Sequence, residues 1–251
     1  MFGTKKRLSE KHSPLTDMHC HILPGLDDGA KDEGTAKQMI DIAYKEGIRT
    51  IVFTPHVREP WMDMSLNDIS KAFVEIREYA SFKYPKMKLY LGAEIYFRRE
   101  LIEDHPEKLR TMNSTDYLLV EFSTRSSFKD LVSGVEMLIQ DGYIPVIAHI
   151  ERYACLWQEE GRIERLYKMG AYLQVNADTI IAKHDRKFRK RLHGLLKNEL
   201  IHFVATDAHD LEDRKPKMQE AYQYIAELCD EDYAIRTCND NAEKMLQGIL
   251  L

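Results

Sequence analysis

His19 and His21, one residue apart, and a later pair, Asp207 and His209, have the residue types and spacing to hold a divalent cation. Side chains at i and i+2 of a strand leave the same face, so His-x-His delivers two imidazoles to one place. Further possible ligands lie between the pairs: Asp27 and Asp28, His56, Glu94, Glu121, His149 and Asn176. Imidazole and carboxylate without thiolate suit Mn, Fe, Zn or Co. About nine ligands are too many for one ion at four to six coordination, so two or three ions bridged by a carboxylate fit better. Asp28 is read as the ligand of its pair and Asp27 as a loop or supporting residue; the run lacks the alternating spacing of a calcium loop.

Such a set needs a scaffold that gathers distant segments. Apolar and β-branched enrichment predicts seven strands, over residues 15–21, 48–54, 88–94, 117–122, 144–148, 171–176 and 201–205. Helical periodicity fills the gaps. Ala36, Met39, Ile40, Ala43 and Tyr44 share one face and Gly47 ends that helix. Ser65 and Asp68 form a capping pattern for the next, with Ile69, Phe73 and Ile76 inward. Residues 128–141 before Gly142, and 163–169 before Gly170, repeat the pattern, and 214–229 and 241–250 are predicted helical. Alternating β and α implies a parallel sheet, and seven units favour a single-domain distorted seven-stranded (β/α) barrel. Every candidate ligand follows or ends a strand, and in such a barrel those ends share one face. The expected division is a flexible basic leader over residues 1–14 and one domain over 15–251.

The chain has 251 residues, 44% apolar and 31% charged, with net charge −5. This balance gives no reason to expect nucleic-acid binding. It holds no apolar run of membrane-spanning length and no secretory pattern at the N-terminus, so no membrane insertion is expected and cytoplasm is the expected location. Cys20, Cys155, Cys229 and Cys238 form no C-x-x-C pair. The pairs Cys155–Arg162 and Cys229–Arg236 each miss the spacing of a cysteine phosphatase loop by one residue. His12, His105, His184, His193 and His202 fall in loops, on helix surfaces or within a strand, and His202 reads as a packing residue.

These motifs resemble the polymerase and histidinol phosphatase (PHP) superfamily, and more narrowly the CpsB-type bacterial protein-tyrosine phosphatases of capsule and exopolysaccharide synthesis. The resemblance is carried by TDMHCHILPGLDDG at 16–29, GIRTIVFTPH at 47–56, GAEIY at 92–96, VEF at 120–122, PVIAHIERY at 145–153, QVN at 174–176 and ATDAH at 205–209. It implies a distorted seven-stranded barrel of PHP type with a trinuclear centre that prefers manganese. By motif the ligands would be His19, His21, Asp28, His56, Glu94, Glu121, His149, Asp207 and His209. Arg152 and Arg214 sit where the family places phosphate-binding arginines, and with His209 they are the residues expected to act on substrate. The basic leader departs from many relatives, which begin almost at the first strand.

The expected reaction is in-line attack on phosphorus by hydroxide formed on the metal, whose bound water titrates near neutrality. A phenolate leaves more easily than an alkoxide, which makes phosphotyrosine a sensible substrate. The expected partner is a phosphotyrosine protein, the tail of a bacterial tyrosine kinase, and a homo-oligomer is compatible with the sequence. A histidinol-phosphate-like small-molecule phosphatase and a non-catalytic metal-bound regulatory module are the alternatives. Arg152 could instead pair with Glu151 or Asp178. The basic run 183–191, with Phe188, Leu192, Leu195 and Leu196 on one side, reads as a solvated amphipathic helix, or otherwise as a dock for an acidic phosphotyrosine tail.

Overall fold

The β-branched and apolar runs form nine short strands in a computed structural model that describes residues 14–58 and 65–251. They are β1 (Leu15–Cys20), β2 (Ile48–Phe53), β3 (His56–Val57), β4 (Lys88–Leu91), β5 (Glu94–Tyr96), β6 (Tyr117–Glu121), β7 (Ile144–Ile147), β8 (Tyr172–Asn176) and β9 (Phe203–Ala205). The expected leader, Pro14 apart, lies outside the described residues. One of the seven expected segments is split, and another is followed by an additional short strand. Pro55 has no N–H to give a ladder, so the second strand stops before it and β3 follows. The third breaks at Gly92-Ala93 and resumes as β5; a Cβ on Gly92 would stand 2.6 Å from the Met112 sulfur.

All ladders are parallel, in the orders β1-β2-β4 and β3-β5-β6-β7-β8-β9. Gly92 N donates to Phe53 O at 2.8 Å and Glu94 N to Pro55 O at 3.2 Å, joining the two ladders. At the far side the segment after β9 returns to β1: Asp207 N donates to His19 O and His21 N to Ala208 O, both at 2.8 Å. The Asp17 carboxylate also takes both the backbone N–H (2.9 Å) and the hydroxyl (2.5 Å) of Thr206. The result is a mixed α/β fold built on a curled parallel sheet.

Helices cover the outside: α1 (Glu33–Lys45), α2 (Leu66–Lys83), α3 (Arg99–Asp104), α4 (Phe128–Gln140), α5 (Ala154–Gln158), α6 (Arg162–Lys168), α7 (Ala177–Ile181), α8 (Arg186–Lys197), α9 (Gln219–Leu228), α10 (Glu231–Ile235) and α11 (Asn241–Met245). Ala36, Met39, Ile40 and Ala43 are buried as expected, while Tyr44 is half-buried and stacks on Tyr84. Ser65 accepts from Asp68 N, the expected cap of α2. The expected helix from 214 begins only at Gln219. Before it, Arg214 O accepts from His209 N (2.8 Å) and Arg214 N donates to Asp210 (2.9 Å), so this stretch is a loop bent back to the site. The expected helix over 241–250 covers only Asn241–Met245, and the short helices α3, α5, α7 and α10 were not anticipated. No helix among the described residues is long and apolar enough to cross a membrane.

Strand alternation divides the core. Leu118 and Val120 pack outward with the helices, whereas Tyr117 and Leu119 join Met18, Val52, Val146 and Phe203 inside the curl. A register shift in β1 between Asp17 and Cys20 lets Met18 fill this inner core while His19 and His21 sit above it. Polar side chains therefore cap an apolar plug at the strands' C-terminal ends.

His202 is the packing residue expected: its Nδ1 accepts from Leu173 N at 3.1 Å, and its ring meets Tyr172 edge-on. Burial pushes its pKa down from 6.5 to about 4. The unfolded chain therefore takes up a proton below pH 6.5 that the folded chain refuses until about pH 4. This contribution is fully present above pH 6.5 and is lost as pH falls to about 4, by about 3 kcal/mol. Urea midpoints should show that loss, and His202→Gln should remove that part of the slope; an unchanged slope would refute the assignment.

Candidate metal centre

His19 and His21 are oriented from behind. His19 Nδ1 lies 3.2 Å from Gln174 Oε1, and His21 Nδ1 lies 2.8 Å from Asp27 Oδ2. Their Nε2 atoms then approach each other to 3.2 Å. Asp27 Oδ2 also accepts from His56 N at 3.1 Å, so one carboxylate fixes the residue after β1 and the first residue of β3 together. Glu94, fully buried at the start of β5, holds the middle. Its Oε1 is 2.8 Å from His149 Nε2, and its Oε2 is 2.8 Å from His56 Nδ1, 3.3 Å from His21 Nε2 and 3.4 Å from His19 Nε2.

Asp207 Oδ1 lies 3.5 Å from both His19 Nε2 and His21 Nε2. Its Oδ2 accepts from Asn176 at 2.9 Å and meets Arg152 Nη2 at 2.6 Å and Arg214 Nη2 at 2.7 Å. Arg152 thus pairs with Asp207 and not with the Glu151 or Asp178 considered from sequence. Asp28 is exposed at the rim, its Oδ1 3.3 Å from His56 Nε2 and 3.4 Å from His209 Nε2. Glu121 Oε1 stands 3.8 Å from His149 Nε2. All nine expected ligands and both arginines are therefore brought to one place.

Three sets of potential ligand atoms each lie within 4.8 Å of one another: His21, Asp28, His56 and His209; His19, His21 and Asp207; and His56, Glu94 and Glu121. His21 and His56 each belong to two sets. His149 stands outside these sets but against Glu94 and Glu121.

The residues fit divalent ions on their own chemistry. Glu94 Oε2 is buried without a hydrogen-bond partner although imidazole nitrogens surround it. Two imidazole nitrogens at 3.2 Å need a proton or a cation to offset their lone pairs. Burial opposes charge on Glu94, but His19, His149 and His21 outweigh it and hold its carboxyl well below the usual range. Asp207 is likewise held well below, with His19 and His21 overcoming its burial. Burial disfavours a charged His21, yet Asp207, Asp27 and Glu94 raise it well above the usual imidazole value. The pocket favours positive charge at its centre.

His149 (φ 31°) and Asp207 (φ 50°) both adopt left-handed backbone, which non-glycine residues occupy at a cost of about 1–3 kcal/mol. Gln174 and Arg58 were missed from sequence. Gln174 accepts from His149 N at 2.7 Å and donates to Asn176 at 2.9 Å; its position two before Asn176 on one strand was the available signal. Arg58, two after His56, pairs with Glu121 at 2.7 Å.

A family model described as capsular polysaccharide synthesis, CpsB/CapC, matches residues 15–247. The chain belongs to the CpsB/CapC family. Within it, the chain is 33% identical over 243 residues to the tyrosine-protein phosphatase CpsB of Streptococcus pneumoniae, covering 94% of this chain and 100% of that one. Tyrosine-protein phosphatase YwqE of Bacillus subtilis is 31% identical over 239 residues, 93% of this chain and 92% of that one. A crystal structure from work on YwqE and CpsB, described as metal-dependent tyrosine phosphatases, aligns with a TM-score of 0.83 at 29% identity over 94% of this chain and 96% of the other.

Proposed function

We propose that this CpsB/CapC protein is a metal-dependent tyrosine-protein phosphatase of capsular or exopolysaccharide synthesis, with the nine side chains named above holding two or three divalent ions, manganese foremost. The observation that carries this is the buried Glu94 carboxylate encircled by four imidazole nitrogens, beside two arginines on one Asp207 oxygen. We read the two curled ladders as one distorted seven-stranded barrel of PHP type.

Bound ions supply Lewis-acid charge and bring water's pKa toward neutrality. The chain's own side chains do the rest. Gln174 and Asp27 fix the rings of His19 and His21 so that their Nε2 atoms face inward. Arg152 and Arg214, tethered to Asp207 yet about a third exposed (36% and 33%), turn their remaining N–H donors to the phosphoryl oxygens. Asn176 holds Asp207 in place beneath them. Tyrosine phenolate, with a pKa near ~10, departs without a strong proton donor. The substrate partner is a phosphotyrosine protein, which we take to be a bacterial tyrosine kinase tail.

The test strips the ions and restores Mn, Fe, Co, Zn or Mg separately while following hydrolysis of a phosphotyrosine peptide and of histidinol phosphate. Metal-restored turnover of the peptide supports the reading; turnover of histidinol phosphate alone would replace it. Arg152→Lys should lower kcat about 100-fold with ion content unchanged, since an ammonium cannot offer the paired donors. Unchanged kcat would remove Arg152 from the phosphoryl site.

A further inference from the structure

Away from the metal centre, a groove between α8 and α9 gathers cations without an acid. Arg186, Arg189, Lys190 and Lys197 are exposed on α8 and, with His193 and Tyr224, line a concavity of about 540 Å³. Among the described residues no carboxylate pairs with any of these four cations. They do not hold the helix in place either. That task falls to the opposite face, where Leu192, Leu195 and Leu196 are buried, and to Arg191, which donates to the backbone oxygens of Trp157 and Glu159.

Two features mark the groove as a receptor for negative charge. His193 Nε2 lies 2.8 Å from the Tyr224 hydroxyl, and partial burial together with Arg189 and Lys197 lowers its pKa, so the local field is positive. The groove floor is Gly194, where an added Cβ would meet nothing within 4 Å. Glycine weakens a helix interior relative to alanine, and packing does not demand it here; its effect is an open floor. The helix is tied to the segment that follows Arg152. Phe188 packs on Trp157 of α5, a helix that follows Arg152 almost directly in the chain.

We propose that this groove docks an acidic segment of the phosphotyrosine protein substrate while the phosphotyrosine enters the metal centre. The proposal rests on the phosphatase reading above. A shallow trough along α8, with Tyr224 of α9 at its side, suits one extended chain, and a net charge of −5 argues against a nucleic-acid surface.

The probe is a phosphotyrosine peptide with an acidic stretch, compared with the same peptide carrying serine for each acid and with p-nitrophenyl phosphate. Arg189→Glu with Lys190→Glu should raise KM for the acidic peptide about tenfold and leave kcat and both other substrates unchanged. Gly194→Leu, which fills the floor without altering charge, should raise the same KM. Independently, an unphosphorylated acidic peptide should shift the NMR resonances of the His193 ring in the native protein and not in the charge-reversed one. That titration needs no turnover. Absent hydrolysis with the shift intact would overturn the phosphatase reading alone, whereas hydrolysis with unchanged KM and no shift would overturn the docking site. Perturbation by phosphatidylglycerol vesicles but not by peptide would also overturn it, in favour of a membrane surface.

Discussion

Glu94→Gln is expected to abolish metal-dependent turnover while leaving the chain folded. The glutamine keeps the shape, but it removes a buried charge and points N–H groups at imidazole nitrogens that stand 2.8–3.4 Å from the carboxylate oxygens. Loss of several kcal/mol of charge stabilisation corresponds to a fall in kcat of about 1,000-fold or more. Ion content per chain, measured by mass spectrometry, should fall with it. The same variant makes a thermal prediction. Ions present at about 1,000 times their dissociation constant stabilise the native state by about 4 kcal/mol, worth about 10 °C in Tm for a chain of this size. Chelation should therefore lower the wild-type Tm by about that amount and barely move the variant. A Glu94→Gln protein with full ion content and turnover would sink the proposed centre.

Gly29→Ala should also damage the site, less severely and from outside the ligand set. A Cβ on Gly29 would stand 2.0 Å from His21 O and 2.6 Å from His21 Cβ, and both are fixed by backbone bonds to the segment after β9 and to Ala30. The methyl group can be accommodated only by moving the loop that carries Asp27 and Asp28. That movement withdraws Asp27 from His21 and Asp28 from His56 and His209. Loss of such an orienting carboxylate lowers metal affinity by about 10–100-fold, so kcat/KM at limiting metal should fall accordingly. Excess metal should rescue part of it. Gly194→Ala, where the added carbon meets nothing, serves as the control on p-nitrophenyl phosphate. Equal behaviour of the two variants would mean that the loop yields more easily than its contacts indicate.

That the candidate ligands would gather at one place was legible in the sequence because strand period and strand ends are local properties. His19 and His21 share a face by alternation, and Glu121 crowns the inward row of Tyr117 and Leu119. What the sequence hid depends on partners far along the chain. Residue 92 has no room for a side chain because Met112 occupies the space beside it, and nothing near residue 92 announces that. The loop before α9 reads as helix by composition, yet Asp210 and His209 capture the backbone of Arg214 first. Gln174, quoted only as part of the QVN motif, has a role that appears only once His19 and His149 are brought beside it.

Asp17 and Thr206, whose bonds close β1 against the segment after β9, are 189 positions apart. On a ribosome adding about 5–20 residues per second, the edge of β1 waits about 10–40 s for its partner. Over that interval one edge of β1 stays unpaired while the other pairs with β2, and His19 and His21 wait equally long for Asp207 and His209. Ion uptake at the proposed centre therefore comes after the ninth strand emerges, and its filling would certify that the first strand has found its late partner.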